Sequence, residues 1–450
     1  MADGFGQSDS LRIGVIGAGI GGLGAAWLLS QRHHVTLLEQ AHYLGGHSNT
    51  VDVRLGATSV PVDTGFIVYN ALNYPNLTQL FAHLGVRSAA SDMSFAVSLH
   101  GGALEYSGTS LAGLLAQPAN LMRPRFWRML ADLRRFYASS ARYRAQAARD
   151  DLTLGELLTR HRYSAAFLED HLLPMAGAIW SASTAQMAAY PARAFLDFCA
   201  NHGLLQLTNR PAWRTVVGGS REYVRCLAAG ISGPVHLRAT VSTIVRHPAG
   251  ATVRLSDGRA LDFDAVVIGA HADQALAMLE TPSALERKLL GSFRYTHNRA
   301  VLHEDASLMP QRRGAWASWN YLGEPGALPA VTYWMNRLQP LATRRDLFVT
   351  LNPLRPPRAG SVHQEFSYAH PLFERGSLAA QGELWRIQGT QRVWFCGSYF
   401  GYGFHEDALE SGLWVAESLG ATRRPWAVPA GSQRTALGDW ARRPDADLRR

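Results

Sequence analysis

Residues 11–40 hold the sequence feature that most constrains the fold of this chain. The short apolar run Ile13–Ile16 is typical of a buried parallel strand, and the turn Gly17–Gly22 follows it directly. An Ala- and Leu-rich stretch then predicts a helix, and a second strand, His34–Leu38, ends at the carboxylate of Glu39. A strand, a glycine-rich turn, a helix and a strand in this order predict a dinucleotide-binding βαβ unit.

The glycines of this turn have separate physical uses. Gly17 permits the tight turn, Gly19 lets a pyrophosphate approach the backbone, and Gly22 lets the helix lie close to the strand. The helix start offers N–H groups and the positive end of its dipole to phosphates. Glu39 can accept hydrogen bonds from a ribose 2′-OH, which favours FAD or NAD over NADP. The alternative is a glycine-rich turn without a ligand, but an acidic residue at this spacing argues against it.

The composition predicts a globular protein of two or three domains. The 450 residues are 47% hydrophobic and 18% charged. Cys199, Cys226 and Cys396 are far apart, so neither a disulfide framework nor a metal site is predicted, and a reducing, cytoplasmic location follows. No transmembrane segment is predicted, because the longest uncharged run is the glycine-rich turn with its helix.

The net charge of +9 comes from arginine, since Lys288 is the single lysine among 44 basic residues. Genomic base composition is one explanation; the other is that the planar guanidinium suits phosphates, including those of lipid head groups. Leu121–Arg149 carries eight arginines against Asp132, with apolar residues at helical spacing. This helix is predicted either to lie on an anionic membrane or to pack on the core with a solvated basic face. No nucleic-acid-binding module is present, so nucleic acid is excluded as a partner.

The middle of the chain predicts mixed secondary structure. Helices dominate residues 73–209, and residues 285–384 predict strands joined by aromatic-rich loops, among them Trp316–Tyr321 and Thr332–Asn336. A three-stranded antiparallel meander is predicted from Val235–Val245, Ala251–Ser256 and Ala260–Phe263.

The C-terminal part predicts a strand, a loop and a helix. Arg392–Cys396 enters a glycine- and aromatic-rich loop, and a helix is predicted from Glu406 to Leu419, before Gly420. A flavin that accepts a hydride gathers negative charge on its pyrimidine ring, and a helix N-terminus aimed there stabilises that charge. Alternatively, Glu406 and Asp407 merely complement the dipole of their own helix. The position after the loop favours the flavin.

Three motifs in this order resemble the flavin amine oxidase superfamily. They are the βαβ turn followed by the pair Gly45–Gly46, the turn Asp63–Gly65, and the C-terminal segments Val393–Ser398 and His405–Gly412. The resemblance covers about residues 11–420 and points to a branch of predicted NAD/FAD-binding proteins associated with cyclopropane fatty acid synthases. The chain is also similar to the N-terminal module of plant cyclopropane fatty acid synthases. The branch-like segments are Val62–Asn70, Pro174–Ser181, Asn201–Leu207, Trp213–Val224, Thr332–Gln339 and Gly401–Leu409.

The resemblance implies an α/β fold, in which a Rossmann-like FAD-binding domain of the amine-oxidase (GR2) type carries an inserted α+β substrate domain. The discontinuous FAD-binding domain comprises residues 11–72, 215–275 and 388–420. The substrate domain comprises residues 73–214 and 276–387. Residues 1–10 are a predicted tail, and residues 421–450 are a predicted basic tail that is disordered or loosely docked.

The resemblance further implies that FAD binds non-covalently, since no cysteine stands at the covalent-flavin position. Val241 is expected to receive the adenine with its backbone, and Asp407 and Ala408 to offer amides to the flavin ring. The implied cofactor-binding residues are Gly17, Gly19, Ile20, Gly22, Glu39, Gly45, Gly46, His47, Thr64, Gly65, Val241, Gly397, Glu406, Asp407 and Ala408.

The chain departs from the amine oxidase pattern at four places. His47 stands where an arginine usually follows the glycine pair, and Phe66 replaces a second glycine. The lysine that binds a water at flavin N5 would fall near Asn298–Ala300, where no lysine occurs. Phe404 replaces one tyrosine of the aromatic cage that receives an amine. These departures weaken the prediction of O2-coupled amine oxidation.

The residues of the predicted active site come from the flavin loop and from segments expected to face it. His405, Tyr402 and Tyr399 are the catalytic candidates, with His405 best placed as acid or base. The candidate substrate-pocket residues are Trp180, His202, Trp213, Arg214, Tyr333 and Asn336. Each of these has a structural alternative as core, pocket wall or local hydrogen-bonding group.

The predicted function is hydride transfer between flavin N5 and a lipid-like substrate, an unsaturated or methyl- or cyclopropane-modified acyl chain. An unactivated C–H needs a dry pocket that positions its carbon rather than acid–base help. One alternative is an amine oxidase that releases H2O2; another is a non-catalytic FAD-binding partner of a lipid methyltransferase or cyclopropane synthase. The predicted location is cytoplasmic, with peripheral contact at the inner membrane face as an option.

Overall fold

The computed structural model describes residues 10–108, 110–180, 183–206, 210–324 and 329–429. The predicted tail residues 1–9 and 430–450 lie outside these ranges, as do Ser181 and Leu207 at the ends of two branch-like segments. None of the described helices is long and apolar enough to cross a membrane.

The described residues form strands and helices in alternation along the chain. The strands are β1 Arg12–Ile16, β2 His34–Leu38, β3 Thr50–Leu55, β4 Thr58–Asp63, β5 Tyr69–Asn70, β6 Ser88–Ala90, β7 Phe95–Leu99, β8 Leu104–Ser107, β9 Trp213–Val216, β10 Val235–His236, β11 Val241–His247, β12 Gly250–Leu255, β13 Ala260–Phe263, β14 Ala265–Ile268, β15 Arg294–His303, β16 Trp319–Gly323, β17 Ala330–Trp334, β18 Phe348–Leu351, β19 Val362–Leu372 and β20 Val393–Phe395. The helices are α1 Ile20–Leu29, α2 Pro75–Leu84, α3 Leu111–Leu114, α4 Pro124–Asp150, α5 Leu154–Arg160, α6 Ala165–Phe167, α7 Leu173–Trp180, α8 Thr184–Ala188, α9 Ala192–Asn201, α10 Arg221–Ala229, α11 Ala272–Met278, α12 Ala284–Leu290, α13 Met335–Leu338, α14 Arg375–Gln381 and α15 His405–Ser418.

A five-stranded parallel sheet in the order β10-β2-β1-β14-β20 carries the predicted βαβ unit. Its central strands β1 and β2 are buried apart from their first residues, and β14 is buried throughout, as their continuous apolar runs predict. The sheet collects strands from all three segments assigned to the FAD-binding domain, which confirms the α/β fold class. The domain boundaries themselves stay a prediction.

The predicted meander strand Val235–Val245 is wrong at its start. Val235 and His236 pair in parallel with β2, and the meander begins only at Val241. Arg238 lies between them with φ of 54°, a left-handed conformation that interrupts an extended strand. One apolar stretch is therefore divided between two sheets.

A seven-stranded sheet in the order β19-β15-β18-β17-β16-β7-β8 forms the second large layer. Two segments predicted as aromatic-rich loops lie largely in its strands, since β16 includes Trp319–Tyr321 and β17 ends at Trp334. The predicted basic helix is present as α4, which buries Phe126, Met129 and Phe136 on one face. Helices α3–α9 lie between β8 and β9 in the chain.

The first and last helices touch through their backbones. A Cβ added to Gly412 of α15 would lie 2.1 Å from the carbonyl oxygen of Gly21 in α1, so neither helix could approach with a side chain there. Beyond α15, residues 421–429 pack on the same region: Arg424 pairs with Glu417 and Trp426 stacks on Trp27 at 6.0 Å. The described part of the predicted tail is therefore docked.

Replacing Gly412 by alanine should destabilise the protein by about 3 kcal/mol, because the new methyl group would overlap the Gly21 carbonyl. Gly376→Ala is the matched control, since this exposed glycine of α14 has open space at its Cβ position and alanine favours helix. Urea unfolding followed by tryptophan fluorescence measures the difference. Equal unfolding midpoints for the two variants would contradict the close helix contact.

Candidate cofactor and active site

A single continuous cavity of about 1490 Å³ joins the glycine-rich turn to the space between the helical layer and the seven-stranded sheet. Glu39 and Val241 line one end, and Trp180, Trp213 and Tyr333 line the other. Cavities for one small ligand span about 300–1,000 Å³. This one therefore has room for a dinucleotide and a second molecule.

The start of α1 presents open space where a pyrophosphate is predicted. A Cβ added to Gly19 would meet no atom within 4 Å, whereas a Cβ on Gly22 would lie 1.9 Å from the Gly17 carbonyl oxygen. The amide of Gly45 donates to the Ala18 carbonyl at 2.9 Å, which brings the second glycine turn beside the first. The backbone thus forms a cradle whose shape and helix dipole suit a diphosphate.

Glu39 lies at the adenosine end with its carboxylate partly engaged. Its two oxygens accept from the amides of Ala18 and Ala41, each at 2.7 Å. A carboxylate has further acceptor positions beyond these two bonds. Glu39 also lines the cavity, so its geometry fits the predicted bond from a ribose hydroxyl.

His47 supplies an orphaned polar atom beside this cradle. Its Nε2 is buried without a hydrogen-bond partner among the described residues, and the ring lies 4.9 Å from Tyr368 and 5.4 Å from His370 between centroids. Burial, then the neighbouring His370 and His271, hold the pKa of His47 well below its usual range. A buried nitrogen left unpaired is expensive, so this atom fits contact with a ligand.

Most of the predicted cofactor-binding residues line the cavity. These are Gly17, Gly19, Ile20, Glu39, Gly45, Gly46, His47, Gly65, Val241, Gly397 and Ala408. Gly22 lies behind the turn, where it packs on Gly17 as its predicted packing use requires. Thr64 is also behind the wall, because its hydroxyl donates to the Asn49 carbonyl at 3.1 Å and contacts Tyr368.

Glu406, predicted as a cofactor-binding residue, does not line the cavity. Its carboxylate accepts from both nitrogens of Asn76 and from the Leu77 amide at 2.7–3.0 Å, so it joins α15 to α2. The carboxylate of Asp407 accepts from the Phe404 amide at 2.8 Å, and the Ala408 amide donates to the Phe404 carbonyl, so both bonds stabilise the start of α15. Contacts of the Asp407 and Ala408 amides with a flavin ring stay a prediction.

His405 is held from two sides. Its Nε2 lies 3.1 Å from the Ser48 hydroxyl and 2.6 Å from the Tyr223 hydroxyl, and its ring stacks on Phe66 at 3.9 Å. Burial lowers the pKa of His405 to about 3, so the ring is neutral at physiological pH. It lines the cavity, but this nitrogen faces the protein, and a role as acid or base stays a prediction.

The other catalytic candidates also reach the cavity. Tyr399 and Tyr402 are part of its wall. The Tyr399 hydroxyl is buried without a partner among the described residues, and burial raises its pKa well above the usual value. The phenol is therefore protonated and offers a hydrogen-bond donor.

Four of the six candidate substrate-pocket residues line the cavity and two do not, while their contact with a substrate stays a prediction. Trp180, His202, Trp213 and Tyr333 line the cavity. Arg214 follows Trp213 in β9 and therefore points to the opposite face, where it donates to the hydroxyl and carbonyl of Ser88 at 2.8 and 2.9 Å. Asn336 instead bonds the Arg345 carbonyl and the Leu347 amide at 2.9 and 2.8 Å.

The contribution of β19 was not predicted from the sequence. Phe366, Tyr368 and His370 line the cavity, as do Ser367, Ala369 and Pro371 between and after them. The aromatic rings at every second position are the one signal in the sequence, and they mark a face of a strand. Across the cavity, Phe198 and Trp319 complete the aromatic wall.

Asn298 lies in the region where the resemblance predicts a lysine, and its side chain forms hydrogen bonds with two other side chains. The Asn298 amide nitrogen donates to His370 Nδ1 at 2.9 Å, and the Asn298 oxygen accepts from Asn352 at 2.7 Å. Because Nδ1 accepts, the proton of the neutral imidazole lies on Nε2. Burial lowers the pKa of His370 to about 4. The cavity thus receives an uncharged N–H donor at this place.

Carboxylates are scarce around the cavity. Among the described lining residues only Glu39 and Asp92 carry one, and Glu39 belongs to the adenosine end. Asp92 pairs with Arg337 at 3.0 Å and accepts from Ser318 at 2.5 Å. The substrate end therefore presents no unpaired carboxylate from the described residues.

Comparison with known proteins gives a family match for most of the chain. The family described as flavin containing amine oxidoreductase matches residues 20–302. A protein of Mycobacterium tuberculosis named as a flavin-containing monoamine oxidase, AofH, is 29% identical over 256 residues, or 55% of this chain and 54% of that protein. The chain thus spans about half the length of the curated relative it matches.

Several solved structures share the fold. A CLA-producing fatty acid isomerase from P. acnes aligns with a TM-score of 0.64 and 14% identity, over 92% of this chain and 99% of that chain. Cyclohexylamine oxidase from Brevibacterium oxydans IH-35A gives 0.65 and 16%, over 92% and 100%. Putrescine oxidase bound to putrescine gives 0.66 and 14%, over 91% and 99%. At these identities the likeness shows the fold alone.

Gly19→Ala should weaken FAD binding by about tenfold or more, since its methyl group would enter the open space of the cradle. The apoprotein should keep its unfolding midpoint, because the φ of −66° at Gly19 suits alanine. Gly22→Ala should instead lower the folded fraction. Fluorescence titration with FAD and urea unfolding measure the two quantities, and unchanged FAD affinity in Gly19→Ala would contradict this position for the pyrophosphate.

Acid should destabilise the protein through its buried histidines. Unfolded histidines take up protons below about pH 6.5, whereas His405 stays neutral until about pH 3, so stability present at neutral pH is lost as the pH falls. The loss for one such residue is about 2 kcal/mol at pH 5. His405→Gln should reduce the decrease between pH 7 and 5 by about this amount. The exposed His34→Gln should keep the wild-type decrease, and equal slopes for both variants would contradict the assignment.

Proposed function

The chain belongs to the flavin containing amine oxidoreductase family, and from this premise we propose that it is an FAD-dependent oxidoreductase that transfers a hydride between the flavin and a lipid-like acyl chain. The substrate in this proposal is an unsaturated or methyl- or cyclopropane-modified fatty acyl group. Dehydrogenation and its reverse use the same contacts. Bound FAD supplies the two-electron acceptor or donor.

The observation that carries the proposal is the character of the cavity beyond the cofactor cradle. Its described wall is mostly aromatic and aliphatic; its charged members are Asp92, which is paired with Arg337, and Arg210. The apolar and aromatic members include Phe66, Tyr106, Met175, Ile179, Trp180, Phe198, Trp213, Trp319, Tyr333, Leu351, Phe366 and Phe404. Such walls exclude water and hold a hydrocarbon chain by contact alone.

The neutral histidines suit the same substrate. Burial lowers the pKa values of His370 and His171 to about 4, so neither brings a charge to the cavity at neutral pH. Removal of a hydride from an acyl C–H needs the carbon held in position and no charged partner for the substrate. The solved fatty acid isomerase of the same fold is compatible with an acyl substrate, although that likeness concerns the fold.

Amine oxidation is the second candidate, and the aromatic wall favours it. A neutral or cationic amine can bind against aromatic faces such as those of Trp180 and Tyr402. Against it stand the Asn298–His370 pair in the lysine region and Phe404 in place of a cage tyrosine. A diamine would also lack an unpaired carboxylate among the described lining residues. A lipid methyltransferase partner and a cytoplasmic location stay predictions.

The test is anaerobic mixing of the purified yellow holoprotein with acyl lipids or with amines. We expect fatty acyl lipids from a membrane extract to bleach the flavin band, while monoamines and polyamines leave it unchanged. Bleaching by amines alone, with H2O2 released in air, would establish the second candidate. Lipid conversion that requires bound FAD but survives His405→Gln and Tyr402→Phe would favour a non-catalytic partner role.

Met175→Asp sharpens this test. Met175 lies in α7, is buried and lines the substrate part of the cavity, so a carboxylate there would meet an apolar chain. The rate of bleaching by acyl lipids should fall by about tenfold or more, with FAD still bound. Met175→Leu keeps the volume and the apolar character and should bleach at nearly the wild-type rate. Equal rates in the two variants would place the substrate elsewhere.

A further inference from the structure

Four large apolar side chains are exposed within one short stretch of the chain, residues 111–127. Leu111 is 79% exposed, Leu121 45%, Met122 85% and Trp127 51%. Single exposed apolar residues are common and need no explanation, but a cluster of this kind marks an interaction surface. We call Leu111, Leu121, Met122 and Trp127 the apolar patch.

Hydrogen bonds and buried side chains beneath the apolar patch fix the segments that carry it. The Trp127 indole nitrogen donates to the Leu121 carbonyl at 2.9 Å, which fixes the ring against the 3₁₀ turn Pro118–Met122. The buried Asn120 donates to the Glu105 carbonyl at 3.0 Å, and Phe126 is buried beside Trp127. The exposed side chains therefore belong to an ordered surface that is anchored from below.

The segment that carries the apolar patch is basic. Residues 106–131 contain no Asp or Glu, and they contain Arg123, Arg125 and Arg128. Arg125 pairs with Glu169 and Asp170, and Arg128 pairs with Asp132, so these two arginines are partly neutralised. Further along α4, Arg134 and Arg142 form no ion pair with any described residue. Arginine beside exposed Leu, Met and Trp is the composition of segments that enter the interfacial region of anionic membranes.

The apolar patch adjoins the substrate part of the cavity. Tyr106 of β8 and Gly108, which follows this strand, line the cavity, and so does Tyr137 of α4. The elements that carry the apolar patch thus also form part of the cavity wall. A molecule that leaves a bilayer at this surface is close to the site that receives it.

We propose that the apolar patch and the arginines of α4 dock this protein on an anionic lipid bilayer, with Leu111, Met122 and Trp127 in the interfacial region. The docking itself does not depend on the identity of the substrate; only its use, to collect acyl chains from the bilayer, rests on the proposed function. Binding to vesicles is measured without turnover, so the two proposals fail separately.

The test is co-sedimentation of the holoprotein with vesicles of phosphatidylcholine alone and of phosphatidylcholine with phosphatidylglycerol. We expect binding to the anionic vesicles that weakens in high salt, because arginine–phosphate attraction is screened. The double variant Leu111→Glu/Met122→Glu should bind at least about tenfold more weakly. Both side chains are exposed, and retained FAD and an unchanged unfolding midpoint show that the fold is intact.

The control is Leu72→Glu/Leu354→Glu, which places the same two charges at exposed leucines outside the apolar patch. Its affinity for anionic vesicles should fall only slightly, because the two added negative charges weaken the overall electrostatic attraction. Arg134→Gln/Arg142→Gln should reduce binding to anionic vesicles and leave the unfolding midpoint unchanged. No binding of the wild type at low salt, or equal binding of the patch variant and the control, would overturn the proposal. A dimer in solution that the patch variant abolishes would also overturn it, since the occupant would then be a second copy of the chain.

Discussion

The contact between Gly21 of α1 and Gly412 of α15 is the constraint on which the rest of the structure depends. The two helices lie about 390 residues apart in the chain, and their backbones meet where a Cβ on either side would overlap a carbonyl or a neighbouring residue. Because the helices touch so closely, the glycine-rich turn and the last loop share one cavity. The parallel sheet beside these two helices accordingly contains strands from distant parts of the chain, in the order β10-β2-β1-β14-β20.

A buried carboxylate joins this unit to the substrate side. Asp63 accepts from the Thr50 hydroxyl at 2.6 Å, from the Ser220 amide at 2.9 Å and from the Gln339 side chain at 2.9 Å. Burial raises the pKa of Asp63 to about 6, while these donors favour its charged form. Removal of one donor would leave a buried charge underpaired, which is costly. The contact therefore fixes the second turn, the start of α10 and the end of α13 relative to one another.

The sequence could predict those parts of the site whose conformation is determined by residues close to them in the chain. The turn Gly17–Gly22 and Glu39 follow from the needs of a tight backbone and a helix start, and the structure places them together. Arg214 was wrongly predicted to line the pocket because neighbouring residues in a strand point to opposite faces of the sheet, and Trp213 takes the cavity face. Glu406 was wrongly predicted to bind the cofactor because its hydrogen-bond partners lie in α2, some 330 residues earlier in the chain. His370 was missed because the aromatic period of two in β19 marks a face of the strand but does not reveal that β19 pairs with β15, which places His370 beside Asn298.

Neutral histidines, and no permanently charged basic side chain among the described residues, lie beside the predicted cofactor cradle. His47, His271 and His370 lie close together, and burial lowers the pKa of each, so they remain neutral donors or acceptors. A bound diphosphate would receive a positive potential from the backbone dipole at the start of α1, and a flavin in the predicted position would receive one from the start of α15. Dipoles fixed in the fold stay in place when charge develops, so they need no charged side chain at that position. Beyond this part of the cavity the wall is mostly apolar, and Asp92 and Arg210 are its charged members among the described residues. A mostly apolar compartment beside an oriented helix start suits the positioning of a C–H bond for hydride transfer.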